Sequence, residues 1–266
     1  HILAPAYIDV QVNGGDNILF NNKPTADCAL QIAEAHRKTG TVRLMPTCIT
    51  DSYDVTKQAI DAVREARTKD SSILGIHIEG PHINKKKKGM HAERHIRKIS
   101  PHDMDLYKRK DGECFLITVA PEFASTTEIK KLVAGGLTVS LGHSTATAQQ
   151  TRDALEAGAT CFTHIFNGMP PLSGRDGGIA SVALSDPVSY CGIIIDGHHV
   201  SSEMVQMTCA AQPDDKLFMV SDAVAPAGAD APQPYDYNGG TYFPKDGVCK
   251  DDSGMLAGAL LTLGQC

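Results

Sequence analysis

The chain has 266 residues, 42% hydrophobic and 21% charged, a balance typical of folded globular proteins and far from disordered, collagen-like or coiled-coil compositions. Twenty-five Lys and Arg against 31 Asp and Glu leave a formal charge of −6, so no global basic field exists to hold DNA or RNA, and a small molecule is the expected partner. No apolar run approaches the roughly 20 residues that cross a bilayer, so no membrane partner is expected either.

The sequence opens on His1 rather than Met with no charged-then-apolar leader after it, and the expectation is a chain truncated at both ends. Short apolar runs bounded by turn residues predict eight strands, at 7–12, 42–45, 73–78, 115–120, 137–141, 160–166, 190–195 and 217–221. Helical spacing fills the first gaps, over 26–38 and 55–66. Gly40, Gly112, Gly135 and Gly158 stand where C-caps belong, Ser125 and Glu128 have capping-box spacing, and Ser201 can cap a further N-terminus. The eight cysteines show no C-x-x-C spacing, and several fall in apolar runs. They read as reduced thiols of a cytoplasmic protein rather than as a disulfide framework.

Eight strand–helix units, with strands too apolar to face water on one side, predict a (β/α)8 TIM-type barrel over residues 1–229. An open doubly wound sheet holding a dinucleotide would carry G-x-G-x-x-G after its first strand, and Val12-Asn13-Gly14-Gly15-Asp16 does not supply it. Beyond residue 225 the composition turns to Gly, Pro, Asp and Tyr. Residues 230–254 are therefore expected to leave the barrel as the remnant of a small β-sandwich domain, with 255–266 beginning a helix that returns to it.

Chemistry in such a barrel gathers where the strands end. Glu79, His143, His164 and Asp222 each follow a long apolar run on a different predicted strand. Singly, each reads as a cap or a satisfied core polar group; together they would face one mouth. One carboxylate and two imidazoles suit Zn²⁺ or a similar divalent ion, and Asp222 beside them would accept a proton from water activated there. Gln11 and Asn13 stand where many metal hydrolases of this architecture carry His-x-His, so one metal ion is expected rather than two. His77, two residues before Glu79, faces the same side and is expected in the layer beneath. Lys85 to Lys88 read as a solvated charge run, and His91 beyond them could donate to a substrate carbonyl. Arg175 in a Gly-rich loop, with Asn167 and Gly168, forms a candidate phosphate site.

The segments Pro5-Ala-Tyr-Ile-Asp-Val-Gln-Val-Asn-Gly14, Gly75-Ile-His-Ile-Glu-Gly-Pro81, Val119-Ala-Pro-Glu122, Leu141-Gly-His-Ser144, Thr163-His-Ile-Phe-Asn-Gly-Met169, Ile195-Asp-Gly-His-His-Val200 and Val220-Ser-Asp-Ala-Val-Ala-Pro-Ala-Gly228 resemble, in order, the N-acetylglucosamine-6-phosphate deacetylases of the amidohydrolase superfamily. The resemblance implies hydrolysis of N-acetylglucosamine 6-phosphate to glucosamine 6-phosphate and acetate, in cytoplasmic amino-sugar catabolism. It implies one divalent metal, zinc first and Fe, Co, Mn or Ni as alternatives, on Glu79, His143 and His164. Asp222 would be the acid/base and His91 the group polarising the acetamide carbonyl. Met90, His91, Asn167, Gly168 and His199 would contact the sugar phosphate, and Leu256, Ala257 and Gly258 would close the pocket. Such proteins are typically homodimers, in which Arg175 would reach the neighbouring subunit's phosphate. Gly168, where relatives often have alanine, and His198, where they are often apolar, depart from the pattern. Two other readings stay open: an amidohydrolase for another N-acetylated sugar phosphate or a cyclic amide, and a noncatalytic barrel that binds sugar phosphates.

Overall fold

The computed structural model describes residues 5–266. Eight strands form one sheet in chain order: β1 (Tyr7–Val12), β2 (Thr41–Ile49), β3 (Gly75–Glu79), β4 (Cys114–Val119), β5 (Thr138–Leu141), β6 (Cys161–Phe162), β7 (Tyr190–Ile193) and β8 (Leu217–Met219). Every neighbouring pair is parallel. Just beyond β8 the sheet closes on itself, where the Asp222 N–H donates to the Gln11 carbonyl at 3.0 Å and Val12 pairs in parallel with Ala223. Asp9 is fully buried at this seam, and its carboxyl accepts the backbone N–H groups of Gln11 at 3.1 Å and Ser221 at 3.3 Å. Burial pushes its pKa up to about 7. This is the expected TIM-type barrel.

One helix follows each of the first seven strands: α1 (Ala26–Arg37), α2 (Tyr53–Lys69), α3 (Pro101–Leu106), α4 (Thr126–Ala134), α5 (Ala148–Glu156), α6 (Gly178–Ser185) and α7 (Ser202–Ala211). Six of these begin on a Ser or Thr whose hydroxyl accepts a first-turn N–H, with α6 the exception. Each such cap is worth about 1 kcal/mol. Ser125 and Glu128 form the expected capping box, and Ser201 caps α7. The left-handed residue that ends α4 is Gly136 rather than Gly135, and Gly158 does the same for α5. In both, two N–H groups turn back onto the last helical carbonyls. Gly112 ends no helix; it lies in the turn entering β4.

All five residues of β3 are buried, as a parallel sheet wrapped in helices demands. The outer core packs Ile32 of α1, Ile60 of α2 and Ile129 of α4 against the sheet. Two strands differ from expectation for backbone reasons. β2 runs on through Pro46, because Pro46 pairs with Val12 at a break in the β1–β2 ladder, where a missing N–H costs little. β6 stops at Phe162, because His164 and Phe166 adopt φ of 29° and 74°.

After β8 the chain forms an antiparallel meander, β9 (Tyr235–Tyr237), β10 (Gly240–Lys245) and β11 (Val248–Lys250). It packs on the barrel mouth. Tyr235, Tyr237 and Tyr242 share a buried cluster with Ile49, Met90 and Val224, and the Tyr237 hydroxyl donates to the Thr50 carbonyl at 2.8 Å. Within 255–266, Ala259 pairs with Ala223, and a single 3-10 turn at Leu263–Gln265 stands where a returning helix is expected to begin. No helix among the described residues is long and apolar enough to cross a membrane.

A Cβ on Gly75 would lie 1.7 Å from the Cys114 carbonyl oxygen, so β3 and β4 can pair only if this residue is glycine. Gly75→Ala is expected to cost on the order of 4 kcal/mol or more, measured as a lowered urea midpoint or loss of soluble protein.

Candidate metal centre and active site

The four residues that the sequence singles out converge. Glu79 ends β3, while His143, His164 and Asp222 follow β5, β6 and β8. These three take left-handed backbone, with φ of 47°, 29° and 51°, which turns each side chain into the mouth at a cost of about 1–3 kcal/mol apiece. Glu79 Oε1 lies 3.0 Å from His143 Nε2 and 2.9 Å from His164 Nε2, and the two nitrogens are 3.0 Å apart. The other nitrogen of His143, Nδ1, is 2.7 Å from the Lys87 carbonyl. A carbonyl only accepts, so Nδ1 carries a proton and Nε2 is the nitrogen left to face a metal.

Two overlapping triples could hold a divalent ion. Glu79, His91 and His143 offer ligand atoms all within 4.8 Å of one another, but His91 Nε2 is 4.0 Å from the Glu79 carboxylate. Glu79, His143 and His164 are tighter. Ligand atoms about 2.1 Å from one ion lie roughly 3.0–3.4 Å from each other, so the separations of this second triple are within a few tenths of an ångström of what a shared ion requires. Its donor set, one carboxylate and two imidazoles, is the kind that zinc hydrolases use.

Asp222 stands half-buried beside the cluster. Its Oδ1 accepts Asn13 Nδ2 at 2.7 Å and Gln11 Nε2 at 3.1 Å, and Gln11 Nε2 also reaches Glu79 Oε1 at 3.1 Å. Gln11 therefore bridges two carboxylates that would otherwise repel. Burial, then the charge of Glu79, pushes Asp222 up to about 6. Burial opposes the ionised form of Glu79, yet the hydrogen bonds from His143 and His164 hold it well below the usual carboxylate range. Burial lowers the His91 imidazole well below its ordinary value, so that ring is neutral at physiological pH.

Around this centre Met90 and His91 come from the β3 loop, Asn167 and Gly168 from the β6 loop, and His199 from the β7 loop. Leu256, Ala257 and Gly258 follow the meander, and all line one pocket with the four residues above. Arg175 does not: it lies in the exposed stretch before α6, outside the pocket. No Lys or Arg lines the pocket. His199 supplies positive charge instead, since its two nitrogens face Asp196 Oδ2 at 2.6 Å and the Ala257 carbonyl at 3.0 Å. Both partners are acceptors, so the ring is held as an imidazolium. Burial opposes this charge, but Asp196 raises the His199 pKa and is itself lowered to about 2. Ile49 and Gly89 also line the pocket and carry no chemical signal a sequence reading would seize on. His77 lies in the barrel interior, its Nε2 2.7 Å from the Thr118 hydroxyl.

The fold and this constellation define a class: the chain belongs to the amidohydrolase family, whose model matches residues 2–226. Within it, the chain is 40% identical to the N-acetylgalactosamine-6-phosphate deacetylase of Shewanella sp. (strain ANA-3), over 98% of this chain and 66% of that one. It superposes on the crystal structure of N-acetylglucosamine-6-phosphate deacetylase from Pasteurella multocida with a TM-score of 0.90 and 37% identity, covering 97% of this chain and 68% of that one. A Mycobacterium smegmatis N-acetyl-D-glucosamine-6-phosphate deacetylase mutant in complex with N-acetyl-D-glucosamine-6-phosphate gives a TM-score of 0.89 at 27% identity, covering 98% and 68%. The chain thus spans about two thirds of the length of these relatives.

Gly168 has a φ of 63°, and a Cβ there would lie 2.9 Å from His143 Nδ1, against the nitrogen held by Lys87. Gly168→Val, bulkier than the alanine that the resemblance places here, is expected to disturb that hydrogen bond and weaken retention of a divalent ion about 10-fold or more, read by elemental analysis after dialysis against a competing chelator.

Proposed function

We propose that this chain carries the catalytic site of a metal-dependent deacetylase that hydrolyses N-acetylglucosamine 6-phosphate to glucosamine 6-phosphate and acetate. The observation that carries the reading is the contact of Glu79 Oε1 with two imidazole nitrogens at 2.9 and 3.0 Å, with a half-buried aspartate in the same pocket. Glu79, His143 and His164 are the proposed metal ligands, and zinc is the proposed ion. When bound, it supplies Lewis acidity, polarising an acyl oxygen and acidifying water.

The chain's own residues do the rest. Asp222, ionised above its raised pKa, takes the proton of the attacking water and passes it to the departing nitrogen, which cannot leave as an amide anion. Gln11 and Asn13 hold the Asp222 carboxylate in place through Oδ1. His91 donates a hydrogen bond to the acetamide oxygen as negative charge develops there. Asn167, the Gly168 N–H and the His199 imidazolium receive the sugar phosphate, with Met90, Leu256, Ala257 and Gly258 closing around it. The pocket lacks a guanidinium of its own, and we propose that Arg175 of a second copy in a homodimer supplies it. All eight cysteines are unpaired, in keeping with a reducing compartment such as the cytoplasm.

The 40% identity to an N-acetylgalactosamine-6-phosphate deacetylase favours a second reading, in which the 4-epimer is the better substrate. Acetate release measured side by side on the two phosphorylated sugars and on unphosphorylated N-acetylglucosamine separates these. The phosphate contacts should make the last a poor substrate, and a chelator should abolish turnover of all three.

Asp222→Asn is expected to lower kcat by about 10²–10⁴-fold with metal content unchanged; full activity would remove Asp222 from the mechanism. The wild-type kcat/KM should fall as the pH drops through about 6, because the base is lost as Asp222 takes up its proton. Arg175→Ala should raise KM for the phosphorylated substrate. Mixing it with Asp222→Asn should recover activity through hybrid dimers that contain one intact site.

A further inference from the structure

His91 has a neighbour whose part in the site follows from polarity alone. Thr50, just past the end of β2, is buried and presents two groups to one ring nitrogen: its hydroxyl lies 2.7 Å from His91 Nδ1, and its backbone N–H donates to the same atom at 3.3 Å. A hydroxyl can turn either way, but a peptide N–H can only donate. The hydroxyl also lies 3.5 Å from the Glu79 carbonyl, but only an unprotonated Nδ1 accepts both the short hydroxyl contact and the peptide N–H, and this tautomer satisfies every group present. The neutral ring then carries its hydrogen on Nε2, the nitrogen that faces Glu79 and the pocket. His143 is set the opposite way by an acceptor, the Lys87 carbonyl.

Thr50 is itself fixed from two sides. The Tyr237 hydroxyl of the meander donates to its carbonyl at 2.8 Å. Gly80 leaves room for its hydroxyl, since a Cβ there would come within 2.2 Å of Oγ1.

We propose that Thr50 is a positioning residue that sets the tautomer and aim of His91, making that ring a hydrogen-bond donor to the substrate rather than a metal ligand. The proposal rests on the deacetylase reading for its kinetic consequence, but the tautomer itself does not depend on that reading.

The test has two arms on the zinc-loaded protein. In the first, long-range ¹H–¹⁵N spectra of ring-labelled wild-type protein, assigned with His91→Gln, should show the His91 proton on Nε2; a proton on Nδ1 overturns the proposal. In the second, Thr50→Val removes the hydroxyl while keeping shape and backbone N–H. It should lower kcat about 10-fold with KM within about twofold, Thr50→Ser should restore most of the loss, and Tyr237→Phe should give a smaller fall of the same kind. A folded Thr50→Val with wild-type kcat overturns the positioning role. If Thr50→Val does not fold, the wild-type spectrum still decides the tautomer. If the wild type releases no acetate, the deacetylase reading fails while the spectrum continues to decide the Thr50 assignment.

Discussion

The seam between β1 and the chain beyond β8 is a short join on which the whole mouth depends. It has no regular ladder: the Asp222 N–H reaches Gln11, the N–H groups of Asn13 and Gly14 share the Ala223 carbonyl, and Asp9 takes N–H groups from both sides. The same few residues then supply the side chains facing the pocket. Because Asp222 is bonded through its backbone to Gln11, its carboxylate falls within reach of the amides of Gln11 and Asn13. Gln11 reaches both carboxylates and Asn13 reaches Asp222, so these amides ease the repulsion between Asp222 and Glu79 without competing for a proton.

Polarity that cannot change sets the protonation of the histidines. Lys87 contributes a carbonyl to His143, Thr50 an N–H to His91, and Asp196 with Ala257 two acceptors to His199. Three imidazoles within one pocket are thereby set differently: His143 with its proton fixed on Nδ1, His91 with Nδ1 bare, and His199 with both nitrogens facing acceptors. Loop conformation, more than residue identity, distributes these roles. The left-handed backbone of His143, His164 and Asp222 is the conformational cost of aiming them, borne by a sheet whose inner strands, such as β3, are fully buried.

Much of this was legible in the sequence, for particular reasons. The strand order is readable because most of the parallel strands are largely apolar runs, though β1 carries Asp9 and Gln11 within it, and the converging residues because the runs end on polar groups. What failed to show is conformational. Nothing in Thr163-His-Ile-Phe announces that His164 and Phe166 take positive φ, since only glycine advertises that, so the sequence predicts a longer strand than β6. Gly135 and Gly136 are adjacent, and only the geometry chooses the second. Arg175 lies outside its own chain's pocket, where a residue expected to reach a neighbouring subunit would stand. The packing of residues 235–250 onto the mouth depends on tyrosines spaced as ordinary strand residues. Thr50 carries no signal, because its partner is 41 residues away and the decisive group is backbone.

The separations along the chain also bear on the order of assembly. Glu79 meets its two imidazoles across 64 and 85 residues, whereas Asp222 meets its amide partners across 209 and 211. Contacts that close longer loops pay more entropy and are made later. The carboxylate–imidazole cluster can therefore form within an inner stretch of strands, while the Asp222 carboxylate arrives only when the first and last strands join. A chain still open at the seam holds the cluster without the Asp222 carboxylate, so the last of the four converging groups and barrel closure arrive in the same step.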